Sequence, residues 1–319
     1  MTRRLIVGSA IIVLGTVVAG TYVQTRPTKH YFEHLDVVGQ NRDPLIKDPI
    51  DLAQSPEAVF FVLERDGRVL SFEKAAPYRG TEIARIERAK ALAYDETTDS
   101  LLVLGESGHA VFRVNYREKT PVRLYGLQEH YFGHRSGIAA DPDGHLLVNN
   151  AKVPTEAPIL ALAADGTIYD GFGTRELDAD ANVETLINVM RLRFTPFLLA
   201  LGIYTGDLTY FSGSSVTTAR LPRAKQWKPR RTSANQISAS PLLWDVAPIL
   251  DGQIFVLAPV RPRVFGYILD QSLQRTGEVR LSKRTPDWVA TQLYHSVCQL
   301  TYDTYALASR SRLDVYRVY

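Results

Sequence analysis

The sequence predicts an all-β protein, and within that class a six-bladed β-propeller made of four-stranded sheets. Short apolar or alternating runs rich in Val, Leu, Ile, Phe and Tyr recur between turn residues beyond residue 30, and only residues 178–189 show a trace of helical periodicity. The runs fall into units spaced by roughly 40 to 55 residues, as expected of a repeated architecture. The units begin near Ile50, Ala91, Gly137, Leu186, Trp244 and Ser296.

Each of the first five units offers four strands. The strands are, in order, IDLAQ, AVFFVLE, RVLSFE, TEIARIE; ALAYD, SLLVLGE, AVFRVNY, PVRLYGL; GIAAD, HLLVNNA, ILALAAD, GTIYDGF; NVMRLRF, PFLLALGIY, DLTYFSG, SVTTARL; and WDVAPIL, GQIFVLAP, VFGYILD, TGEVRLS. The sixth unit has only VCQLTYD, TYALASR and RLDVYRVY, and YFEHLDVVG at residues 31–39 is the candidate for its missing strand. An N-terminal strand in that place closes the ring and removes exposed sheet edges. A sandwich or a barrel explains neither the grouping by four nor the short last unit.

The N-terminal segment predicts export. Two arginines are followed by a run from Leu5 to Val23 without a charge, and about 19 such residues are enough to cross a hydrocarbon core of about 30 Å. A signal anchor is the favoured interpretation, and a secretory signal cleaved after Gly20 is the alternative. Either one places the rest of the chain in the periplasm or outside the cell, membrane-anchored or, after cleavage, secreted. The predicted division is an anchor or signal at 1–24, a linker at 25–30 and the propeller at 31–319.

The composition narrows the possible functions. The single cysteine, Cys298, excludes an intrachain disulfide. A formal net charge of +3 on 319 residues is too small to predict nucleic-acid binding. The sequence contains no G-x-S-x-G, Walker, dinucleotide-binding glycine or H-E-x-x-H motif, so no catalytic residue is predicted.

The stretch GIAADPDGHLLVNN, residues 137–150, has the chemistry of a tight turn between two strands. Proline presets one dihedral of Asp141-Pro142-Asp143-Gly144, aspartate bonds to its own backbone, and glycine takes a positive φ. A calcium loop of the EF-hand type needs further oxygen ligands, which Pro142 and the following strand prevent. We therefore expect a turn here, with His145 as a polar residue at the start of the next strand.

The same stretch, followed by ILALAADG, resembles an NHL repeat. The matching positions are Gly137, Ile138, Ala139, Asp141, Gly144, Leu146, Val148, Asn149 or Asn150, Ile159 and Gly166. The first unit matches in part, through VFFVLERDGRVLSFE, and units four to six depart from the pattern. The resemblance implies a propeller of the NHL kind.

The loop charges separate by face. The connections between first and second strands carry Glu57, Asp95, Glu96, Asp99, Asp141, Asp143, Asp251 and Asp303, with no Lys or Arg. The connections on the opposite face carry Arg88, Lys90, Arg135, Lys152, Arg261, Arg263, Lys283, Arg284, Arg310 and Arg312. A basic face of this kind attracts anionic ligands or surfaces. The alternative is that turn aspartates make one face acidic automatically and that the basic loops are merely solvated.

Candidate ligand-binding residues lie on the predicted basic face, which by analogy with other propellers is where ligands bind. They are His130, His134 and Arg135 in the loop HYFGHRSG, Asn149 and Asn150 at the end of a second strand, and Trp227, Arg230 and Arg231 in the long loop PRAKQWKPRRTSANQISAS. Asparagine at a loop start also has a purely structural explanation. The H-x-x-x-H spacing aligns two metal ligands only on a helix, which Gly133 disfavours.

Two functions remain open from the sequence. The favoured one is an exported binding or scaffolding module without a cofactor, whose basic face meets an envelope protein, an anionic glycan or a small anionic ligand. The alternative is a calcium-dependent lactonase or esterase similar to the gluconolactonase and paraoxonase propellers, with Asn149, Asn150, Asp245 and Glu106 as candidate ligands. No Glu-Gly-Pro stretch opens the first unit, as it does in gluconolactonases. A strictosidine-synthase-like propeller has no supporting motif, and the roles of the long loops at 173–189 and 222–243 stay open.

Overall fold

The computed structural model describes most of the chain from residue 28 onward. The described residues are 28–38, 46–57, 59–126, 137–150, 157–163, 165–173, 184, 188–194, 198–212, 215–221, 230–233, 236–238, 244–261, 263–283, 285 and 292–319. They form β-strands joined by turns, which confirms the all-β prediction. The expected anchor or signal at 1–24 lies outside them, and among the described residues no helix is long and apolar enough to cross a membrane.

After a first strand, β1 (Thr28–Val38), the chain forms four successive antiparallel sheets in which the strands pair in chain order. The first sheet contains β2 (Pro49–Gln54), β3 (Val59–Glu64), β4 (Arg68–Glu73) and β5 (Ala76–Arg85). The second contains β6 (Ala91–Asp95), β7 (Ser100–Gly105), β8 (Ala110–Asn115) and β9 (Thr120–Gly126). The third contains β10 (Ile138–Ala140), β11 (Leu146–Asn149), β12 (Ile159–Leu162) and β13 (Ile168–Phe172). The fourth contains β14 (Met190–Phe194), β15 (Leu198–Gly202), β16 (Asp207–Ser212) and β17 (Ser215–Arg220).

The remaining strands form a small hairpin and one eight-stranded sheet. The hairpin pairs β18 (Arg230–Ser233) with β19 (Gln236–Ser238). The large sheet contains β20 (Asp245–Ile249), β21 (Gln253–Arg261), β22 (Val264–Leu269), β23 (Arg275–Leu281), β24 (Ser296–Gln299), β25 (Thr304–Ser309) and β26 (Arg312–Val318). Its order is β20-β21-β22-β23-β1-β26-β25-β24, so β1 joins two chain-ordered halves.

Strand β1 confirms the predicted pairing between the N-terminal strand and the end of the chain. It runs antiparallel to β26, with Phe32 opposite Val318 and Val38 opposite Leu313. The first residues of β1 also pair in parallel with β23, which the sequence did not indicate. Both contacts satisfy backbone groups that would otherwise form open edges on two outer strands.

A central channel is lined by the first strand of each four-stranded sheet and by the two outermost strands of the eight-stranded sheet, β20 and β24. We call these six strands the first strands, or inner strands. They contact one another in the cycle β2, β6, β10, β14, β20, β24 and back to β2. Because side chains alternate along a strand, each first strand packs against both neighbouring sheets. Ile138 and Ala140 join the apolar cluster with the second sheet, whereas Ala139 joins the cluster with the fourth. Each strand therefore presents its unpaired backbone edge to the channel.

The turn predicted at Asp141 is confirmed. Its carboxylate accepts hydrogen bonds from the backbone N–H groups of Asp143 and His145, at 3.0 and 2.8 Å, and Gly144 has φ of +84°. Gly137 is required for a different reason, since a Cβ there would lie 2.3 Å from the backbone nitrogen of Leu192 on β14. The third and fourth sheets can approach closely only because that side chain is absent.

Candidate functional site

The central channel contains a cavity of about 430 Å³. Its lining comes from the first strands of all the sheets in the cycle and from their connections to the second strands. We call the face that carries the connections at 55–57, 96–99, 141–145, 250–252 and 300–303 the turn face. The cavity reaches this face, because the exposed residues Pro56, Glu96 and Pro142 belong to its lining. The sequence-based expectation placed ligand binding on the opposite, basic face.

The cavity wall is largely apolar and is built from small or branched side chains. The apolar lining residues are Leu52, Ala53, Ala93, Ile138, Ala139, Ala140, Leu192, Val246, Ala247, Pro248, Val297 and Cys298. Pro248 suits its place because an inner strand has one edge without a partner, and proline has no N–H to leave unsatisfied there. The single thiol of the chain, Cys298, is buried, and burial raises its pKa to about 12.

Arg193 on β14 forms the floor of the cavity. Its Nε and Nη2 atoms each lie 2.9 Å from a carboxylate oxygen of Asp245 on β20, and Nη2 is 2.6 Å from Asp51 on β2. The Asp245 side chain is fully buried and that of Arg193 is 11% exposed. One guanidinium therefore bridges carboxylates from two other sheets across the channel.

Arg191 and Ser296 complete a charge-balanced cluster with this floor. Arg191 pairs with both aspartates and donates to the carbonyl of His295 at 3.1 Å. The Ser296 hydroxyl donates to Asp245 at 2.7 Å. Two arginines and two aspartates leave the cluster without a net charge.

The cluster also satisfies the open backbone edges of the inner strands. Asp51 accepts the backbone N–H of Leu92 on β6 at 2.9 Å, and Asp245 accepts that of Val297 on β24 at 2.9 Å. Arg193 donates from Nη1 to the Leu92 carbonyl at 3.3 Å. Buried backbone groups need such partners, so these side chains hold five inner strands together, namely β2, β6, β14, β20 and β24.

Electrostatics favour the charged forms of Asp51 and Arg193. Burial raises the pKa of the Asp51 carboxyl, but the opposing effect of Arg191 and Arg193 is larger, and the balance holds that pKa below its ordinary value. Burial likewise lowers the pKa of Arg193, and the carboxylates of Asp245 and Asp51 more than compensate and raise it.

The cavity mouth carries carboxylates. Glu96 and Asp141 belong to its lining, and Glu96 makes no hydrogen bond or ion pair within the described part of the chain. Tyr94, also in the lining, donates its hydroxyl to Asp99, which pairs with Arg117. Asp141 lies 2.9 Å from the Nδ1 atom of His145.

One group at the mouth has the donor types of a metal site. Ligand atoms of Asp141, Asp143 and His145 lie within 4.8 Å of one another. One Asp141 oxygen already accepts two backbone N–H groups of the turn and the other lies beside the His145 ring, so the turn itself accounts for the arrangement.

Asn149 and Asn150 do not line this cavity. Asn149 is fully buried, donates to the carbonyls of Pro158 and Asn188 at 2.9 and 3.0 Å, and accepts the Met190 N–H at 3.0 Å. Its amide thus bridges the third sheet to the start of β14, a structural role. Asn150 donates to the Ala157 carbonyl at 3.2 Å.

Of the other predicted ligand residues, the structure describes two, Arg230 and Arg231. His130, His134, Arg135 and Trp227 lie outside the described residues. Arg230 and Arg231 begin the hairpin strand β18. Ligand binding by these residues stays a prediction.

Sequence reasoning missed the cluster at the floor, although a signal existed. Asp51, Arg191, Arg193, Asp245 and Ser296 are polar residues within or at the start of apolar first strands. Because first strands converge on the axis of a propeller, polar residues that recur there in several units indicate an axial network. From the sequence alone, Asp245 is a candidate only for metal binding.

Comparison with known proteins supports the fold. No family model and no curated protein matches the chain. Among solved structures, it is similar to a streptogramin B lyase (10% identity, 91% of this chain and 97% of that chain, TM-score 0.54), a putative gluconolactonase (12%, 93% and 95%, 0.54) and the WD40 β-propeller domain of Doa1 (14%, 89% and 96%, 0.53). At these identities the likeness shows the fold, which is a β-propeller.

Proposed function

We propose that this chain is a six-bladed β-propeller that binds a small organic molecule in its central cavity. The four separate sheets and the two halves of the eight-stranded sheet supply six blades, with β1 as the outer strand of the last one. The NHL-like residues of the third sheet, from Gly137 to Gly166, agree with this assignment.

The cavity at the channel carries the proposal. Small-molecule sites are concave, mostly apolar, about 300 to 1,000 Å³ in volume, and contain a few fixed polar groups. This cavity has about that size, with apolar walls, the Arg193 guanidinium at its floor and carboxylates at its mouth. The ion pairs to Asp51 and Asp245 fix Arg193 in place, so its position requires no reorganisation when a ligand enters.

A fluorescent probe tests the site directly. N-phenyl-1-naphthylamine, an uncharged aromatic amine, should bind the full-length protein at one saturable site and brighten in the apolar cavity. Pro248→Trp fills the cavity and should abolish this signal, whereas Pro121→Trp makes the same change on the exposed outer strand β9 and should not. Equal binding by both variants would show that the probe does not bind in the cavity.

The proposal includes export and an envelope partner. The uncharged run from Leu5 to Val23 supports a membrane anchor. The basic connections of the predicted basic face, together with the hairpin that contains Arg230 and Arg231, would present a surface to an envelope protein or an anionic glycan. Cell fractionation tests the first point: the full-length chain should sediment with membranes and resist a high-salt wash. A fully soluble chain would mean that the segment is cleaved or is no anchor.

A calcium-dependent hydrolase, suggested by the similarity to a putative gluconolactonase, does not fit the contacts of three candidate ligands, Asp245, Glu106 and Asn149. Both Asp245 oxygens are held by Arg193, and Arg191 and Ser296 lie beside them. Glu106 is bound by Arg123 in a two-bond pair at 3.1 and 2.9 Å, and Asn149 is used by backbone groups. A divalent cation at Asp245 would stand next to two guanidinium charges. We therefore expect thermal unfolding curves in calcium and in chelator to coincide.

A further inference from the structure

The charges of the cavity identify the class of ligand, given the binding function proposed above. We propose that the cavity takes a cationic or uncharged amphipathic molecule, with its hydrogen-bond donors at the mouth and an acceptor such as a carbonyl at the Arg193 end. This differs from the anionic ligand that the sequence predicted for the basic face.

The mouth supplies acceptors. Glu96 and Asp141 are the carboxylates of the lining, and Glu96 has no partner within the described part of the chain. Gln54, at the mouth end of β2, also belongs to the lining, and its buried Oε1 atom accepts no hydrogen bond from the described residues. A buried acceptor without a donor is costly, and an ammonium or hydroxyl group of a ligand would satisfy it once the amide turns into the cavity.

The floor supplies a donor without supplying a net charge. Arg193 has five N–H bonds. Its Nε and Nη2 atoms bond to Asp245, Asp51 and Ser296, whereas Nη1, with two hydrogens, makes one bond among the described residues, to the Leu92 carbonyl. One Nη1 hydrogen thus remains for a ligand acceptor.

An anion is disfavoured at both ends. Asp51 and Asp245 neutralise the two arginines of the floor, so the deep end offers a hydrogen bond and no excess positive charge. An anion would also pass the carboxylates of the mouth, where like charges repel. Two basic side chains on this face are themselves engaged: Arg117 pairs with Asp99, and the Lys74 ammonium donates to the Ser55 carbonyl at 2.7 Å.

Three probes of nearly the same shape test the charge preference. Phenylbutylammonium, phenylbutanol and phenylbutanoate differ mainly in charge, and isothermal titration calorimetry with the full-length protein gives their dissociation constants. We expect affinity to fall in that order, with about tenfold between the cation and the anion at low salt. The difference should shrink as salt is added, because the mouth carboxylates are exposed to screening.

Two carboxylate variants locate the effect. Glu96→Gln should weaken phenylbutylammonium binding about threefold to fivefold, as expected of a solvent-accessible charge pair, and leave phenylbutanol unchanged. Glu118→Gln is the matched control, since Glu118 is an exposed carboxylate on the same face but outside the cavity lining. A para-acetyl group on the ammonium probe adds a carbonyl at the deep end and should tighten binding by about fivefold.

The outcomes separate the two proposals. If phenylbutanoate binds as tightly as phenylbutylammonium, or if Glu96→Gln and Glu118→Gln behave alike, the ligand class is wrong and the cavity remains a binding site. If the acetyl group gives no gain, the Arg193 donor is not available to ligands. If neither these probes nor N-phenyl-1-naphthylamine bind, the proposed function itself fails.

Discussion

Arg193 and Asp245 face each other across the channel of the propeller in a two-bond ion pair, with both nitrogen–oxygen distances at 2.9 Å. They lie on the first strands of different sheets, 52 positions apart in the chain. The pair connects two strands that are far apart in the sequence. Because the pair is buried, breaking it should lower the stability of the fold considerably.

Removing the charge of Asp245 should destabilise the protein strongly. Asp245→Asn leaves Arg191 and Arg193 with one carboxylate, and breaking a buried pair from one side costs about 3 to 5 kcal/mol. Urea unfolding measures the loss. The control is Asp207→Asn, because Asp207 makes the same two-bond contact with Arg220, at 2.7 and 2.9 Å, with Arg220 54% exposed. An exposed pair contributes about 0.2 to 1 kcal/mol, so equal losses in the two variants would contradict the structural role of the cluster.

The pH dependence of stability follows from Asp51. Its pKa is lower in the folded protein than the ordinary value of 3.8, so the unfolded chain takes up the proton first as pH falls. The stabilisation is therefore complete above about pH 4 and is lost as the pH falls toward the lowered pKa. Unfolding free energies measured between neutral and acidic pH should show this decline.

Asp51→Asn provides the comparison for that decline. The variant should be less stable at neutral pH and lose less stability on acidification, since the titrating group is gone. An acid decline of the same size in the variant would assign the effect to other carboxylates.

Much of the fold could be predicted from the sequence because its signals are local. Turn chemistry predicts the turn at Asp141–Gly144, which is present. A count of strands predicts a strand at 31–39, and the structure has one at Thr28–Val38. The parallel pairing of β1 with β23 could not be predicted in this way, since it depends on where two outer strands meet in space.

The candidate site could be predicted far less well, for a physical reason. Asp51, Arg193 and Asp245 each look like an isolated polar residue in an apolar run, and only closure of the ring makes them neighbours. Asn149 shows the reverse difficulty, because an asparagine at a strand end has the same appearance in the sequence whether it binds a ligand or a backbone carbonyl.

Asn149→Ala should therefore lower stability without affecting ligand binding. The substitution leaves the Met190 N–H and the carbonyls of Pro158 and Asn188 without their partner, and each buried orphan group costs about 1 to 3 kcal/mol. Urea unfolding should report the loss, while the dissociation constant of N-phenyl-1-naphthylamine should stay unchanged. Weaker probe binding by a variant that is still folded would favour the ligand role predicted from the sequence.

Phe32 should be the main anchor of the closing strand β1. Its fully buried ring packs against Phe255, Tyr305 and Tyr316 at centroid distances of 5.4, 5.7 and 5.5 Å. Phe32→Ala should cost about 3 to 5 kcal/mol, measured by urea unfolding. Leu35→Ala on the same strand is the control, because Leu35 is 43% exposed and should change stability by about 0.5 kcal/mol or less. Similar small effects of both changes would mean that β1 contributes little to closure.

The thiol of Cys298 reports on the cavity without any substitution. Its pKa is about 12 because it is buried, and the thiolate is the reactive form. At pH 8 only a very small fraction of the molecules carries a thiolate, so a small uncharged reagent such as methyl methanethiosulfonate should react far more slowly than with the unfolded chain. The rate should rise about tenfold per pH unit between pH 8 and pH 10. A ligand in the cavity should lower the rate, since Cys298 belongs to the lining.

Mass spectrometry follows the single modification cleanly because the chain has one cysteine. A fast reaction at pH 8 would contradict the burial of the thiol, and a rate indifferent to phenylbutylammonium at saturating concentration would place that ligand elsewhere.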